Sequence, residues 1–242
     1  MSVEAKVIAI TGASAGLGAG MARWFGERGA RLGLCARRVP EAPNDQTVSR
    51  SADVTDLESV RAFASDVGEI LGPIDLWINN AAELGPIVPQ RDLELSALQA
   101  HVQVNLGGVL NGTRAYVEHL EAAGHKGNLV NITSGLGQRG MAGVSAYSAA
   151  KAGVDRLTET IALEEPDLFE QVLAISPGVV ETDMQRTLRT QDRDVLHELD
   201  MFRSRKAEGT MNSPGWVAKH IAGWVFGGVP NQGTLARVPQ ER

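Results

Sequence analysis

One cysteine, Cys35, occurs in 242 residues, so no internal disulfide can form and a reducing cytoplasm is the expected home. The thiol reads first as a small apolar residue inside a buried strand. Positive charge is in deficit: 23 Lys and Arg face 29 Asp and Glu, a formal net charge of −6. That balance argues against nucleic acid, whose phosphates need a basic surface. No apolar run approaches the roughly 20 residues that cross a bilayer, and the N-terminus lacks the charge, apolar stretch and cleavage site of a signal peptide. No membrane partner is expected. The histidines, His101, His119, His125, His197 and His220, have no metal-ligand spacing; surface or helix-face positions, and no metal, are expected. With no Gly/Ser/Pro-rich linker and no repeat, 1–242 reads as one domain.

What is present is an alternation. Short β-branched runs at 7–11, 32–36, 47–52, 76–79, 129–133, 172–176 and near 234–238 are separated by helical patterns at 17–28, 57–71, 98–120, 147–164 and 214–226. Several runs are apolar throughout, as parallel strands covered on both faces require. The prediction is an α/β doubly wound parallel sheet of the Rossmann type, about seven strands with helices on both faces. Within 98–120, Leu98, Val102, Leu106, Val109, Val117 and Leu120 recur at three- and four-residue steps and predict one buried stripe. Trp216 and Trp224 read as core anchors. The charged stretch 185–212, with scattered Met and Phe, is either a solvated helix pair or a substrate lid.

Between the first strand and first helix lie Gly12, Ser14, Ala15, Gly16, Leu17 and Gly18. Glycines there let backbone approach a phosphate, and the helix N-terminus supplies N–H groups. The spacing is G-x-x-x-G-x-G, and its setting between strand and helix carries more weight than the glycines themselves. The end of the second strand, where an acid would bind a ribose, holds Arg37 and Arg38 instead; a guanidinium forks onto a 2′-phosphate, so NADP is expected over NAD. Asp53 and Val54 end the third strand, where a carboxylate would accept from an adenine amino group, while Asp56 suits the N-cap of the next helix. Asn79, Asn80, Ala81 and Ala82 close the fourth strand at the sheet edge where such folds bind ligands, with Ala81 and Ala82 small enough for a ribose to lie against backbone.

Ser134 follows the fifth strand, and Tyr147 and Lys151, four apart at the start of a helix, share a face. A tyrosine titrates near 10; an adjacent ammonium would lower it toward neutral, and Ser134 would direct the reacting oxygen to the phenol. Asn105, a poor helix former in mid-pattern, either carries a proton-relaying water or satisfies a local kink. Pro177 and Gly178 force a turn after the sixth strand; Val180 and Thr182 would then meet the nicotinamide ring and amide, unless the segment is an ordinary strand-to-helix loop.

Together these motifs resemble the short-chain dehydrogenase/reductase family over nearly the whole chain. Its phosphate turn matches Gly12, Gly16 and Gly18; its Asn-Asn-Ala-Gly segment matches Asn79 to Ala82, with Ala82 in place of glycine. Its catalytic set falls on Asn105, Ser134, Tyr147 and Lys151, and its Pro-Gly loop on Pro177 and Gly178. The resemblance implies hydride transfer with tyrosine as acid/base, serine orienting substrate and lysine on the nicotinamide ribose. Family members preferring NADP often carry a base before the middle glycine, where this chain has Ala15. The last third, PGVVETDMQRTLR onward, is most similar to the sepiapterin reductase and bacterial benzil reductase group, which implies a compact ketone or vicinal dicarbonyl bearing an aromatic or heterocyclic group. The family implies a homodimer or homotetramer through the helices of Asn105 and Tyr147. The expectation is an NADPH-dependent carbonyl reductase. The alternatives are an NAD-linked secondary alcohol, sugar or steroid dehydrogenase, and a non-catalytic dinucleotide-binding sensor.

Overall fold

A computed structural model describes residues 2–229 and 233–241. The expectation of one domain over 1–242 takes in Met1, Pro230, Asn231, Gln232 and Arg242, which lie outside the described residues. The strands are β1 (Val7–Thr11), β2 (Arg31–Ala36), β3 (Thr47–Ser51), β4 (Leu76–Asn79), β5 (Gly127–Ile132), β6 (Phe169–Ser176) and β7 (Leu235–Arg237). The helices are α1 (Gly16–Gly26), α2 (Leu57–Leu71), α3 (Leu95–Val102), α4 (Gly108–Ala123), α5 (Ser145–Glu164), α6 (Asp183–Arg189), α7 (Leu199–Ala207) and α8 (Pro214–Phe226). All seven strands run parallel in the order β3-β2-β1-β4-β5-β6-β7.

Every residue of β1 is buried, because successive side chains point to opposite faces and both faces are covered. Ile8 and Ile10 enter the core under α1 and α8 with Phe25, Leu32, Ile78, Ile221 and Trp224. Val7 and Ala9 enter the opposite core with Cys35, Phe63, Val67, Trp77 and Tyr116. Cys35 is therefore the small buried residue expected of it, and burial pushes its thiol up to about 12. Asp56 caps α2, its carboxylate accepting from Glu58 N.

Polar groups inside this sheet are paired in series. Trp77 Nε1 donates to Asn79 Oδ1 (2.8 Å), Asn79 Nδ2 to Asn131 Oδ1 (2.9 Å), and Asn131 Nδ2 to Thr158 Oγ1 (2.9 Å). Each member is satisfied, as burial demands.

The stretch 98–120 differs from the expected single helix. It is α3 and α4 joined by one wide π turn over Gln103–Gly107. The extra residue in that turn rotates the helix face. Of the expected stripe only Val109 and Leu120 are buried, and His101, Asn105, Gly112 and Thr113 take inward positions instead.

A third apolar cluster lies outside the sheet. Leu188 from α6 and Leu199 and Phe202 from α7 pack with Leu84, Met141, Val144 and Tyr147. The apolar residues of the 185–212 stretch thus pack with the tyrosine, while its charged residues Arg186, Arg193, Asp200, Arg203 and Lys206 stay exposed.

Candidate functional site

At the C-terminal ends of the strands, where the chain order reverses between β1 and β4, lies a cavity of about 1130 Å³. Ligands bind at such switch points because the loops diverge there. The glycine turn forms one end. Gly12 has φ +67°, and a Cβ on it would sit 2.6 Å from Ala81 Cα; one on Gly18 would sit 2.4 Å from the Gly12 carbonyl oxygen. Only bare backbone fits here. Asn80 secures the turn from β4, its Nδ2 donating to Thr11 O (2.9 Å) and Gly12 O (3.2 Å). In return Thr11 Oγ1 accepts from Asn80 N and Ala81 N. Asn80 lines the cavity, yet its amide is spent on the turn. Ala15, the N-cap of α1, offers no side-chain acceptor, so the first N–H groups of the helix stay available to an anion.

Arg37 and Arg38 leave β2 beside this turn and line the cavity, with Ser14, Ala15, Gly16, Leu17, Asp53 and Val54 close by. Arg38 Nη2 donates to Ser14 O (3.1 Å), which brings a guanidinium to a turn that has no base of its own. Asp53 accepts from Thr55 N (2.9 Å) and Thr55 Oγ1 (2.8 Å), and these bonds, more than Arg37, hold its carboxyl below its ordinary value.

At the far end Ser134, Tyr147 and Lys151 line one corner of the cavity. Ser134 starts a tight turn after β5, and its Oγ accepts from Leu136 N (3.2 Å). Tyr147 and Lys151 sit one turn apart on α5, both buried. Lys151 Nζ donates to Ile132 O (2.8 Å) and lies 5.7 Å from the Tyr147 ring centroid.

The electrostatics correct the expectation of a lowered phenol. Burial pushes Tyr147 up to about 12, and the Ser134 hydrogen bond offsets only part of this. The same burial pushes Lys151 down to about 8, opposed by the Asp155 carboxylate. Desolvation disfavours both charged forms, and it outweighs an ammonium already committed to the Ile132 carbonyl.

Asn105 does not line the cavity. It sits buried in the π turn, its Nδ2 donating to His101 O (3.1 Å) and its Oδ1 accepting from Glu83 N (3.3 Å). These bonds tie Asn105 into the π turn. His101 corrects the surface expectation: it is 1% exposed, 6.2 Å edge-on from the Tyr147 ring, and burial holds its imidazole below its ordinary value. His119, His125 and His220 are half-buried, and only His197 is exposed. Among the described residues no group of acids, histidines and cysteine could hold a metal.

The loop after β6 completes the wall with Pro177, Gly178, Val180 and Thr182. Gly178 has φ +76°. Asn212, which sequence patterning did not single out, fixes this loop: its Nδ2 donates to Pro177 O (2.9 Å) and Pro239 O (3.2 Å), and its N to Val179 O (2.8 Å). A lone Asn before Ser213-Pro214 carries no local signal of that clamp. Asp155 was likewise missed. It is 2% exposed, one turn beyond Lys151, with Oδ1 unpartnered. Glu181 ties α6 and α7 together, meeting Arg189 at 2.6 Å and Lys206 at 3.2 Å.

Comparison with known proteins bears on this arrangement. Residues 6–193 match the family described as short chain dehydrogenase. A benzil reductase, (S)-benzoin forming, from Bacillus subtilis is 29% identical over 92% of this chain and 94% of its own length. A cis-4-hydroxycyclohexanecarboxylate dehydrogenase from Sinomonas cyclohexanicum is 32% identical over 90% of this chain and 88% of its own. The crystal structure of an actinorhodin polyketide ketoreductase with NADPH superposes with a TM-score of 0.83 at 27% identity, covering 98% of this chain and 97% of that one.

Proposed function

The chain belongs to the short-chain dehydrogenase family, and from that premise we propose that it is an NADPH-dependent carbonyl reductase. Its substrate is a ketone or vicinal dicarbonyl, aromatic or heterocyclic in character. The observation that carries this reading is the gathering of Ser134, Tyr147 and Lys151 in one buried corner of the cavity that the glycine turn closes at its other end.

A nicotinamide dinucleotide fits the residues present, because Gly12 and Gly18 keep open a cradle that a Cβ would fill. The pyrophosphate would lie on the turn from Gly12 to Gly18, the 2′-phosphate on Arg37 and Arg38, and the adenosine against Asp53, Val54, Asn80 and Ala81. Pro177, Gly178, Val180, Thr182, Tyr147 and Lys151 would hold the nicotinamide half. When bound, this group supplies the hydride that reduces the carbonyl carbon.

The protein's own share is proton chemistry and exclusion of water. Tyr147, pushed up to about 12, keeps its proton at neutral pH and is the donor to the substrate oxygen. Ser134 Oγ already accepts from Leu136 N, which leaves its hydrogen for a second partner, the phenol or the carbonyl oxygen. Once the proton leaves, the phenolate shares a desolvated corner with Lys151, mostly protonated at pH 7. An ammonium held there stabilises the charge that develops.

The 185–212 stretch acts as a lid, its Leu188, Leu199 and Phe202 seated on Tyr147. The protein works in the cytoplasm as a homodimer or homotetramer, covering exposed Leu95 and Leu110 and half-buried Val102 and Leu106 of the α3–α4 face. A second reading, an NAD-linked secondary-alcohol dehydrogenase, draws on Ala15, which gives the phosphate turn no base, and on the dehydrogenase similar over 90% of the chain.

The test is loss of NADPH absorbance with a panel of diketones, together with NADPH and NADH affinities for the wild type and Arg37→Ala. Tyr147→Phe is expected to abolish turnover while NADPH still binds. Near-normal turnover by that variant refutes the catalytic assignment; an unchanged cofactor preference in Arg37→Ala refutes the NADP assignment.

A further inference from the structure

The lid carries several cations, and their partners differ. Arg186 meets Asp183, Arg189 meets Glu181, Arg193 meets Asp200 (2.5 Å), Lys206 meets Glu181, and Arg203 donates to Arg189 O (3.2 Å). Arg205 is half-buried and lines the cavity from α7. Among the described residues its guanidinium has neither an ion pair nor a hydrogen bond. It follows Met201 by one helical turn and so shares the face that Met201 and Phe202 present to the cavity. Burying a guanidinium even in part without a partner is unfavourable unless something meets it.

A second group lining the cavity, on the helix packed against α7, is also unsatisfied. Gln185, on α6, lines the cavity, and its Oε1 is buried with no donor. An amide turned about its terminal bond presents N–H there instead. Guanidinium and amide together match a carboxylate, while the apolar surface of Leu188, Met201 and Phe202 beside them suits a compact hydrocarbon or aromatic body.

We propose that Arg205 and Gln185 form an anion subsite for a carboxylate on the substrate, so that the protein reduces a ketone bearing an acid group rather than a neutral one. This rests on the carbonyl-reductase reading. A protein of net charge −6 repels anions overall, and a local guanidinium at the substrate end recruits one against that background.

The full chain is assayed with NADPH and either benzoylformate or its methyl ester, the same ketone with and without the charge. In the wild type kcat/KM for the acid is expected to exceed that for the ester by about tenfold or more, the range of a charge-assisted bond. Arg205→Gln lowers that ratio by about tenfold, and Arg205→Lys restores part of it. An acid-to-ester ratio below one in the wild type, or a ratio unmoved by Arg205→Gln, overturns the subsite. A raised KM for NADPH with the ratio retained also overturns it, since the anion at Arg205 is then a phosphate of the dinucleotide. If neither compound nor any other ketone is reduced, the carbonyl-reductase reading fails separately. Benzoylformate binding by calorimetry, weakened in Arg205→Gln or not, then decides the subsite.

Discussion

Replacing Lys151 with methionine should make the dinucleotide-free protein more stable at neutral pH while ending its turnover. Lys151 is 2% exposed, and its folded pKa of about 8 lies below the ordinary 10.5. Keeping that ammonium charged costs about 3 kcal/mol at pH 7. Methionine keeps most of the stem's volume and removes the charge, but it takes away the donor to Ile132 O, a loss of about 1–2 kcal/mol. The net expectation is a gain of about 1–2 kcal/mol at pH 7. The sign with pH follows from which state binds more protons. Below about 8 both states are protonated and the penalty on the wild type is complete. Between about 8 and 10.5 the unfolded chain binds more, so wild-type stability rises with pH and the advantage of Lys151→Met disappears. Tyr147, raised to about 12, works oppositely above its ordinary 10, but both proteins carry it, so it largely cancels. Urea unfolding from pH 6 to pH 10, followed by fluorescence of the four tryptophans, measures the difference. A gap that stays constant with pH, or a variant less stable throughout, would refute the buried-charge account.

Gly12→Ala should weaken NADPH binding at least tenfold, because φ +67° costs an L-residue about 1–2 kcal/mol and the new Cβ meets Ala81 backbone; dinucleotide fluorescence titration checks this. Asn131→Ala breaks the series at its centre, leaving Asn79 Nδ2 only its 3.4 Å bonds to Val109 O and Thr113 Oγ1 and Thr158 Oγ1 only its bond to Val154 O, and should cost about 1–3 kcal/mol in urea unfolding. Glu181→Gln loosens the tie between α6 and α7, so limited proteolysis within 185–212 should quicken by about fivefold, a modest gain because Lys206 and Arg186 are largely exposed. Unaltered cleavage would show that apolar packing around Tyr147 alone holds α6 and α7.

The strands were legible wherever β-branched runs stood between turn residues. Val7–Thr11, Leu57–Leu71, Leu76–Asn79 and Pro214–Phe226 have the bounds their patterns predict. The helix over 98–120 was not, because a π turn inserts a residue without changing composition, and period alone cannot register a phase slip. Partners distant in sequence were equally silent. Nothing in its own stretch of chain shows that Asn80 Nδ2 donates to Thr11 O and Gly12 O, and Asn212 reaches Pro177 across 35 residues.

By itself the sequence determined the parallel sheet, the glycine turn after the first strand and the shared helix face of Tyr147 and Lys151, because local backbone demands and helix spacing are written in neighbouring residues. Only the tertiary structure decided how deeply that corner is buried. How far a phenol or an ammonium is desolvated depends on Leu84, Val144, Leu188 and Phe202 closing around Tyr147 from four separate segments, and burial of that kind has no signature in any single stretch of chain.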